Sequence, residues 1–268
     1  MRIVRTIAEV RAALEQHRAA GERIALVPTM GALHAGHLAL LDAARADADV
    51  VVMSLFVNPT QFGDTQDLAL YPRDEERDAE LAAEAGVDLL FAPKPDELYP
   101  GGFQTAVEVS ELSGPLEGEF RPGHFRGVAT ICLKLFNIVR PHVAFFGQKD
   151  AQQVAVVRRL ARDLDLELDI ETVATVRDPD GLALSSRNAR LSPDEREQAL
   201  LIPRALAAGR AAHERGEDAA AAARATLDGL LPDYVAVTDF DGRATLAIAA
   251  RVGTARLIDN LPLEGDPE

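Results

Sequence analysis

Short apolar runs alternate with helix-periodic stretches through the first two-thirds of the chain, and few folds accept that order. Ile24–Val27, Val50–Phe56, Leu89–Ala92, Val143–Phe146 and Leu168–Val173 read as buried strands, being short, apolar and rich in β-branched residues. Leu38–Arg45, Arg73–Ala85, Val128–Ile138 and Ala151–Leu164 carry helical spacing between most of them. Strand and helix in alternation predict an α/β fold, a parallel sheet with helices on both faces. Such folds bind ligands beyond the carboxyl ends of their strands, so the segments that follow those ends are where chemistry is expected.

The pattern changes at Arg177-Asp178-Pro179-Asp180-Gly181, a turn signal. Beyond it the spacing predicts helices over Pro193–Arg215 and Asp218–Leu231, including the Ala-rich run Ala219–Ala225. Strands follow over Tyr234–Phe240, Ala244–Ala250 and Ala255–Asp259, with turns at Asp241-Gly242 and Val252-Gly253, which predicts a small antiparallel sheet. A domain boundary is expected near 176, dividing residues 1–176 from a smaller α+β domain, 177–268.

The formal net charge of −15 repels polyanions at long range, so neither nucleic acid nor an anionic membrane is an expected partner. An anionic ligand must therefore be met by a local cluster. No apolar stretch reaches a membrane span's length and no signal pattern opens the chain, which predicts a cytoplasmic protein. The one cysteine, Cys132, lies in an apolar stretch and reads as a buried, inert thiol.

Four strand ends carry the candidate chemistry. Pro28-Thr29-Met30-Gly31-Ala32-Leu33-His34-Ala35-Gly36-His37 reads as strand, tight turn and helix start, where unpaired N–H groups and the helix dipole favour an anion such as a triphosphate. His34 and His37 share one face of the first turn, and Gly31 and Gly36 remove side chains where the backbone turns and a ligand comes close. Metal ligation by the pair lacks a third ligand, and no HExxH pattern accompanies it. After the second run come Asn58 and Gln61, whose amides suit a substrate with hydroxyl and carboxylate groups and equally suit an Asn-Pro turn.

Gly147-Gln148-Lys149-Asp150 follows the fourth run, with Gln153 one turn later. Lys149, one of three lysines, reads as a phosphate-binding point charge or a surface cation, and Asp150 as a ribose acceptor, an N-cap, or both. Leu184-Ser185-Ser186-Arg187-Asn188 offers two hydroxyls and a guanidinium to phosphate oxygens and is also ordinary turn chemistry. Arg121-Pro122-Gly123-His124-Phe125-Arg126-Gly127 is a basic island, either a surface loop or a neighbour of the anionic ligand.

PTMGALHAGH at 28–37, FVNPTQF at 56–62, YPRD at 71–74, RPGHFRGVAT at 121–130, FFGQKDAQQ at 145–153 and DGLALSSRN at 180–188 together resemble the pantothenate synthetases, the pantoate–β-alanine ligases of the HxGH nucleotidyltransferase superfamily. The resemblance implies a Rossmann-like N-terminal domain binding ATP and pantoate, a smaller C-terminal lid, and a homodimer. It implies condensation of (R)-pantoate with β-alanine through pantoyl adenylate, giving pantothenate, AMP and pyrophosphate with Mg²⁺, and no protein metal ligand. Carried over by position, His37, His34 and Lys149 are catalytic, His37 as proton donor. ATP is met by Met30, Gly31, Ala32, Leu33, His34, Ala35, Gly36, His37, Gly147, Gln148, Lys149, Asp150, Val176, Leu184, Ser185, Ser186 and Arg187; pantoate by Gln61 and Gln153, with Asn58 nearby and Gln61 reaching β-alanine. Leu184 stands where many members have Met, Thr60 where Leu is frequent, and Gln148 where Glu is frequent. The rivals are another nucleotidylyltransferase of the superfamily, against which Asn58, Gln61 and the SSRN loop argue, and a non-catalytic nucleotide-binding module, against which Lys149 and both histidines argue.

Overall fold

Along Ile24–Thr29 (β2) and Val50–Leu55 (β3) the side chains alternate between two cores, as a period of two demands. Ile24, Leu26, Val50 and Val52 enter one core and Ala25, Val27, Val51 and Met53 the other, so both sheet faces are covered. Leu89–Phe91 (β4) continues the pattern, with Leu89 and Phe91 opposite Leu90. With Arg2–Val4 (β1), Val143–Gly147 (β5) and Asp169–Val173 (β6) these strands form a six-stranded parallel sheet in the order β1-β4-β3-β2-β5-β6. The helices Ile7–Ala19, His124–Val139 and Ala151–Asp163 supply the first core and Ala35–Asp47 and Glu75–Glu84 the second. The computed structural model describes residues 1–63, 68–69, 71–240 and 242–264.

The sheet's order reverses between β2 and β5, and a reversal point opens a crevice at the strands' carboxyl ends. The turn with the two histidines follows β2, and Gln148–Asp150 follows β5. The expected α/β architecture is therefore present.

Two compact units make up the chain. One comprises Met1–Phe146 and Gln153–Val173, the other Gly147–Gln152 and Ala174–Glu268. The second has its own core, where Ile202, Leu206 and Ala223 pack with Leu246, Ile248 and Leu257 of a three-stranded antiparallel sheet. That sheet is Pro232–Phe240 (β7), Arg243–Val252 (β8) and Ala255–Pro262 (β9), in the order β7-β8-β9. Gly209 lets the layers touch: a Cβ there would lie 2.3 Å from Leu246 Cδ2 and 2.8 Å from the Ala219 carbonyl.

The structure departs from the sequence reading in several details. β1 was not foreseen, because three residues with only Val4 buried carry no periodicity. The helix expected over 193–215 is two helices, Pro193–Ala199 and Leu201–Glu214. Pro203 explains the break, since its ring collides with the carbonyl four residues back and it has no N–H for the ladder. The helix expected to reach Leu231 ends at Thr226, before Gly229 with φ +85° and Pro232. Asp241, of the expected Asp241-Gly242 turn, lies outside the described residues. Among the described residues no helix is long and apolar enough to cross a membrane.

Candidate active site

His34 is the N-cap of Ala35–Asp47, and His37 sits at the third helical position. They cap each other reciprocally: His34 Nδ1 accepts the Gly36 N–H at 3.1 Å, and His37 Nδ1 accepts the His34 N–H at 3.3 Å. A ring nitrogen that accepts from a backbone N–H carries no proton, which assigns both neutral rings as Nε2–H tautomers. The rings lie 4.2 Å apart between centroids and tilt by 45°.

Asp78, only 2% exposed, fixes the preceding turn. Its carboxylate accepts the N–H groups of Ala32 at 2.9 Å and Leu33 at 2.8 Å. Gly31 has φ +86°, and a Cβ there would stand 2.6 Å from Asp78 Oδ2. The turn's own groups are met within the chain. Gly31 makes room for a carboxylate of the protein itself, and the N–H groups of Ala32, Leu33, Gly36 and His37 are all bonded within the chain.

Asn58 and Gln61 flank a single 3₁₀ turn, Pro59–Gln61. Asn58 is buried; its Oδ1 accepts from Thr60 N at 3.3 Å, Thr60 Oγ1 at 2.9 Å and Tyr99 Oη at 3.0 Å. Its Nδ2 donates to Gln61 Oε1 and to the Gly127 carbonyl, each at 3.1 Å. Both ends of this amide are therefore used inside the protein, which makes Asn58 a support for Gln61. Gln61 Nε2 lies 3.0 Å from Met30 Sδ. Burial pushes the Tyr99 phenol above its ordinary range, so it remains a hydroxyl able to donate to Asn58. Beyond the ends of β2 and β3 a cavity of about 210 Å³ is lined by Met30, Leu55, Phe56, Arg73 and Asp78 among others. Gln153 stands half-buried in the helix Ala151–Asp163.

In the second unit the backbone is anchored instead. Asn260, a buried residue of β9, donates through Nδ2 to the carbonyls of Gln148 at 3.0 Å and Lys149 at 2.9 Å, and its Oδ1 accepts from Gln148 Nε2 at 3.2 Å. Val176 and Leu184 meet across a hairpin, the Leu184 N–H donating to the Val176 carbonyl at 3.0 Å. Arg196 clamps the hairpin tip, at 2.7 Å from Asp178 and 2.9 Å from Asp180. Burial, the largest influence, would raise the Asp180 carboxyl; the Arg196 hydrogen bond, the Leu182 N–H and the Arg196 charge together outweigh it and hold the group below its ordinary range. Ser185 Oγ accepts the Arg187 N–H at 3.2 Å and Ser186 follows it in the turn. Lys149, Ser185 and Asn188 line one small cavity with Asp259, which holds Arg177 in a bidentate pair at 2.6 and 3.0 Å. Among the described residues no hydrogen bond or ion pair engages the Lys149 ammonium.

The structure thus brings together Met30 to His37 with Gln61 and Asn58, and, separately, Gln148 and Lys149 with Val176 and Leu184 to Arg187. Asp78, Tyr99, Asn260 and Asp259 were missed by the sequence reading. Asp78 falls in the charged run Asp74-Glu75-Glu76-Arg77-Asp78, which looks like a solvated helix face, and Asn260 near the end of an edge strand.

Residues 2–262 match the family model described as pantoate-beta-alanine ligase. Pantothenate synthetase 1 of Bradyrhizobium diazoefficiens is 52% identical over 284 residues, covering all of both chains. Pantothenate synthetase of Moorella thermoacetica is 51% identical over 280 residues, covering 98% of this chain and 99% of its own. The crystal structure of pantothenate synthetase from Thermus thermophilus superposes with a TM-score of 0.93 at 47% identity, over 99% of this chain and 100% of that one. The Francisella tularensis pantoate-beta-alanine ligase, a complex with a β,γ-ATP and β-alanine, superposes with a TM-score of 0.87 at 34% identity over the whole of both chains.

Proposed function

The chain belongs to the pantoate–β-alanine ligase family, and from that premise we propose that it joins (R)-pantoate to β-alanine at the expense of ATP through a pantoyl adenylate. A free carboxylate is too poor an electrophile for an amine, so it must first be activated. The pantoate carboxylate attacks the α-phosphorus of ATP, a carboxyl-oxygen-to-phosphorus bond forms as the bond to pyrophosphate breaks, and pantoyl adenylate results. The neutral amine of β-alanine then attacks the acyl carbon, loses a proton, and AMP departs as pantothenate forms.

The observation that carries this reading is the locked histidine pair. Each ring has its proton on Nε2 before any ligand arrives, so two donors exist without reorganisation where negative charge grows on phosphate oxygens. His37 gives the leaving pyrophosphate a hydrogen bond from its Nε2–H, stabilising the growing charge while keeping the proton; His34 binds beside it. Lys149, Ser185, Ser186 and Arg187 neutralise the remaining phosphate charge, while Met30 to Gly36, Gly147, Gln148, Asp150, Val176 and Leu184 complete the ATP contacts. Gln61 and Gln153 hold pantoate, and Gln61 reaches β-alanine. The division expected near 176 belongs to this reading, as do a homodimer and a cytoplasmic location. Among the described residues no group of three or more His, Cys, Asp or Glu side chains could cage an ion. Magnesium belongs to this reading as an ion that would come with ATP and supply charge neutralisation.

Pantoate-dependent exchange of labelled pyrophosphate into ATP, measured without β-alanine, tests the first step. Exchange that needs pantoate supports the adenylate; ADP and phosphate as products would refute it. His37→Ala is expected to slow adenylation far more than reaction of preformed pantoyl adenylate with β-alanine.

A further inference from the structure

The basic island at 121–127 has no part in the chemistry above, yet it is built against Gln61. His124 is 6% exposed and its Nδ1 lies 2.9 Å from the Gln61 carbonyl oxygen. A carbonyl oxygen only accepts, so His124 carries its proton on Nδ1 and presents a lone pair at Nε2. Arg121 Nη1 meets that nitrogen at 3.2 Å, and Glu117, 5% exposed, holds Arg121 at 3.5 Å. Gly127, one helical turn on, closes the packing: a Cβ there would fall 2.5 Å from the Thr60 carbonyl oxygen and 2.7 Å from Gln61 N. Its carbonyl accepts from Asn58, the residue that holds the Gln61 side chain.

We propose that His124 is a positioning residue for pantoate recognition, acting through the Gln61 main chain, with Arg121 and Glu117 fixing its ring. The proposal rests on the reading of Gln61 as a pantoate contact. The turn Pro59–Gln61 is three residues long, and so short a 3₁₀ segment has little stability of its own. Its place is set from outside: the His124 ring holds its carbonyl, Gly127 its packing distance, and Asn58 the side-chain amide. Removing the His124 donor leaves a buried carbonyl unsatisfied and frees the turn to shift. Pantoate is then bound less well, while ATP, met by other residues, is not.

His124→Gln and His124→Asn separate the two ring nitrogens. The Gln amide reaches the Nε2 position and keeps a partner for Arg121 without the donor to Gln61; the Asn amide places an N–H near the Nδ1 position. His124→Gln is expected to raise KM for pantoate about tenfold, the loss of one hydrogen bond to a buried acceptor, with KM for ATP changed less than about twofold. His124→Asn is expected to return KM for pantoate to within about threefold of the parent. Arg121→Met, which loosens the ring without touching Gln61, is expected to raise it about threefold and serves where His124→Gln does not fold. Equal losses for both substrates, no rescue by Asn, or an unchanged KM for pantoate in these variants would overturn the proposal. Calorimetry keeps the readings apart. A parent protein that does not bind pantoate overturns the functional reading, whereas parent and His124→Gln binding it equally overturns the positioning role alone.

Discussion

The histidine turn and the Lys149 segment differ in whether the candidate side chain is itself part of the scaffold. In the first, side chains hold backbone: Asp78 ties down two N–H groups, each histidine caps the other, and Asn58 spends its whole amide on its neighbours. In the second, Asn260 holds the carbonyls of Gln148 and Lys149 and a hairpin ladder joins Val176 to Leu184, leaving the Lys149 ammonium outside the scaffold. Stability and chemistry are thus fused in one place and separable in the other.

Lys149→Ala offers the hardest test of that separation. Adenylation should fall by about 10² to 10³, the loss of one preplaced charge-stabilising donor, while thermal unfolding stays unchanged. Near-normal turnover would return Lys149 to the status of a surface cation. A drop in melting temperature would erase the contrast with the first site.

Asp78→Ala should show the fused case. Two charge-assisted hydrogen bonds to buried N–H groups are lost, at about 3 kcal/mol of stability by urea unfolding, and adenylation should fall with it although Asp78 is assigned no contact with substrate. Full activity in a destabilised variant would show that the turn keeps its shape without the carboxylate. His34→Ala is a smaller version, expected to cost about 1 kcal/mol as the loss of an N-cap. Unfolding indistinguishable from the parent would remove His34 from the scaffold.

The smallest effect is a pH dependence in the second unit. The Arg196 hydrogen bond and charge, with the Leu182 N–H, together overcome burial and hold the Asp180 carboxyl below its ordinary value of 3.8, so the folded hairpin favours the ionised form. The contribution is complete above 3.8 and is lost as pH falls through the lowered value. The protection factors of the Leu182 and Gly181 amides, exchange corrected for its intrinsic pH dependence, should be flat from neutral pH down to about 5 and fall only in stronger acid, and Asp180→Asn should abolish that fall. Loosening already at pH 5 would contradict the depressed carboxyl.

The parallel sheet and the small C-terminal sheet were legible because each follows from local spacing. Asp78 was not. Its burial depends on a missing Cβ at Gly31, a long-range condition that makes a carboxylate in an acidic run into an internal clamp. His124 was named but not understood, since its partner is a main-chain carbonyl with no side-chain signature. The split at Leu200 could have been read from Pro203, and Asn260 could not, because only pairing of β9 with β8 brings it to its place beside Lys149.

The reciprocal histidine cap also divides each ring into two addresses. Nδ1 belongs to the architecture and, under the proposed function, Nε2 to the reaction, so a methyl group introduced by an unnatural histidine should act according to where it is attached. On Nδ1 it would unseat the start of the helix. On Nε2 it would spare the cap and silence one proton, giving a folded protein from which a single donor has been erased.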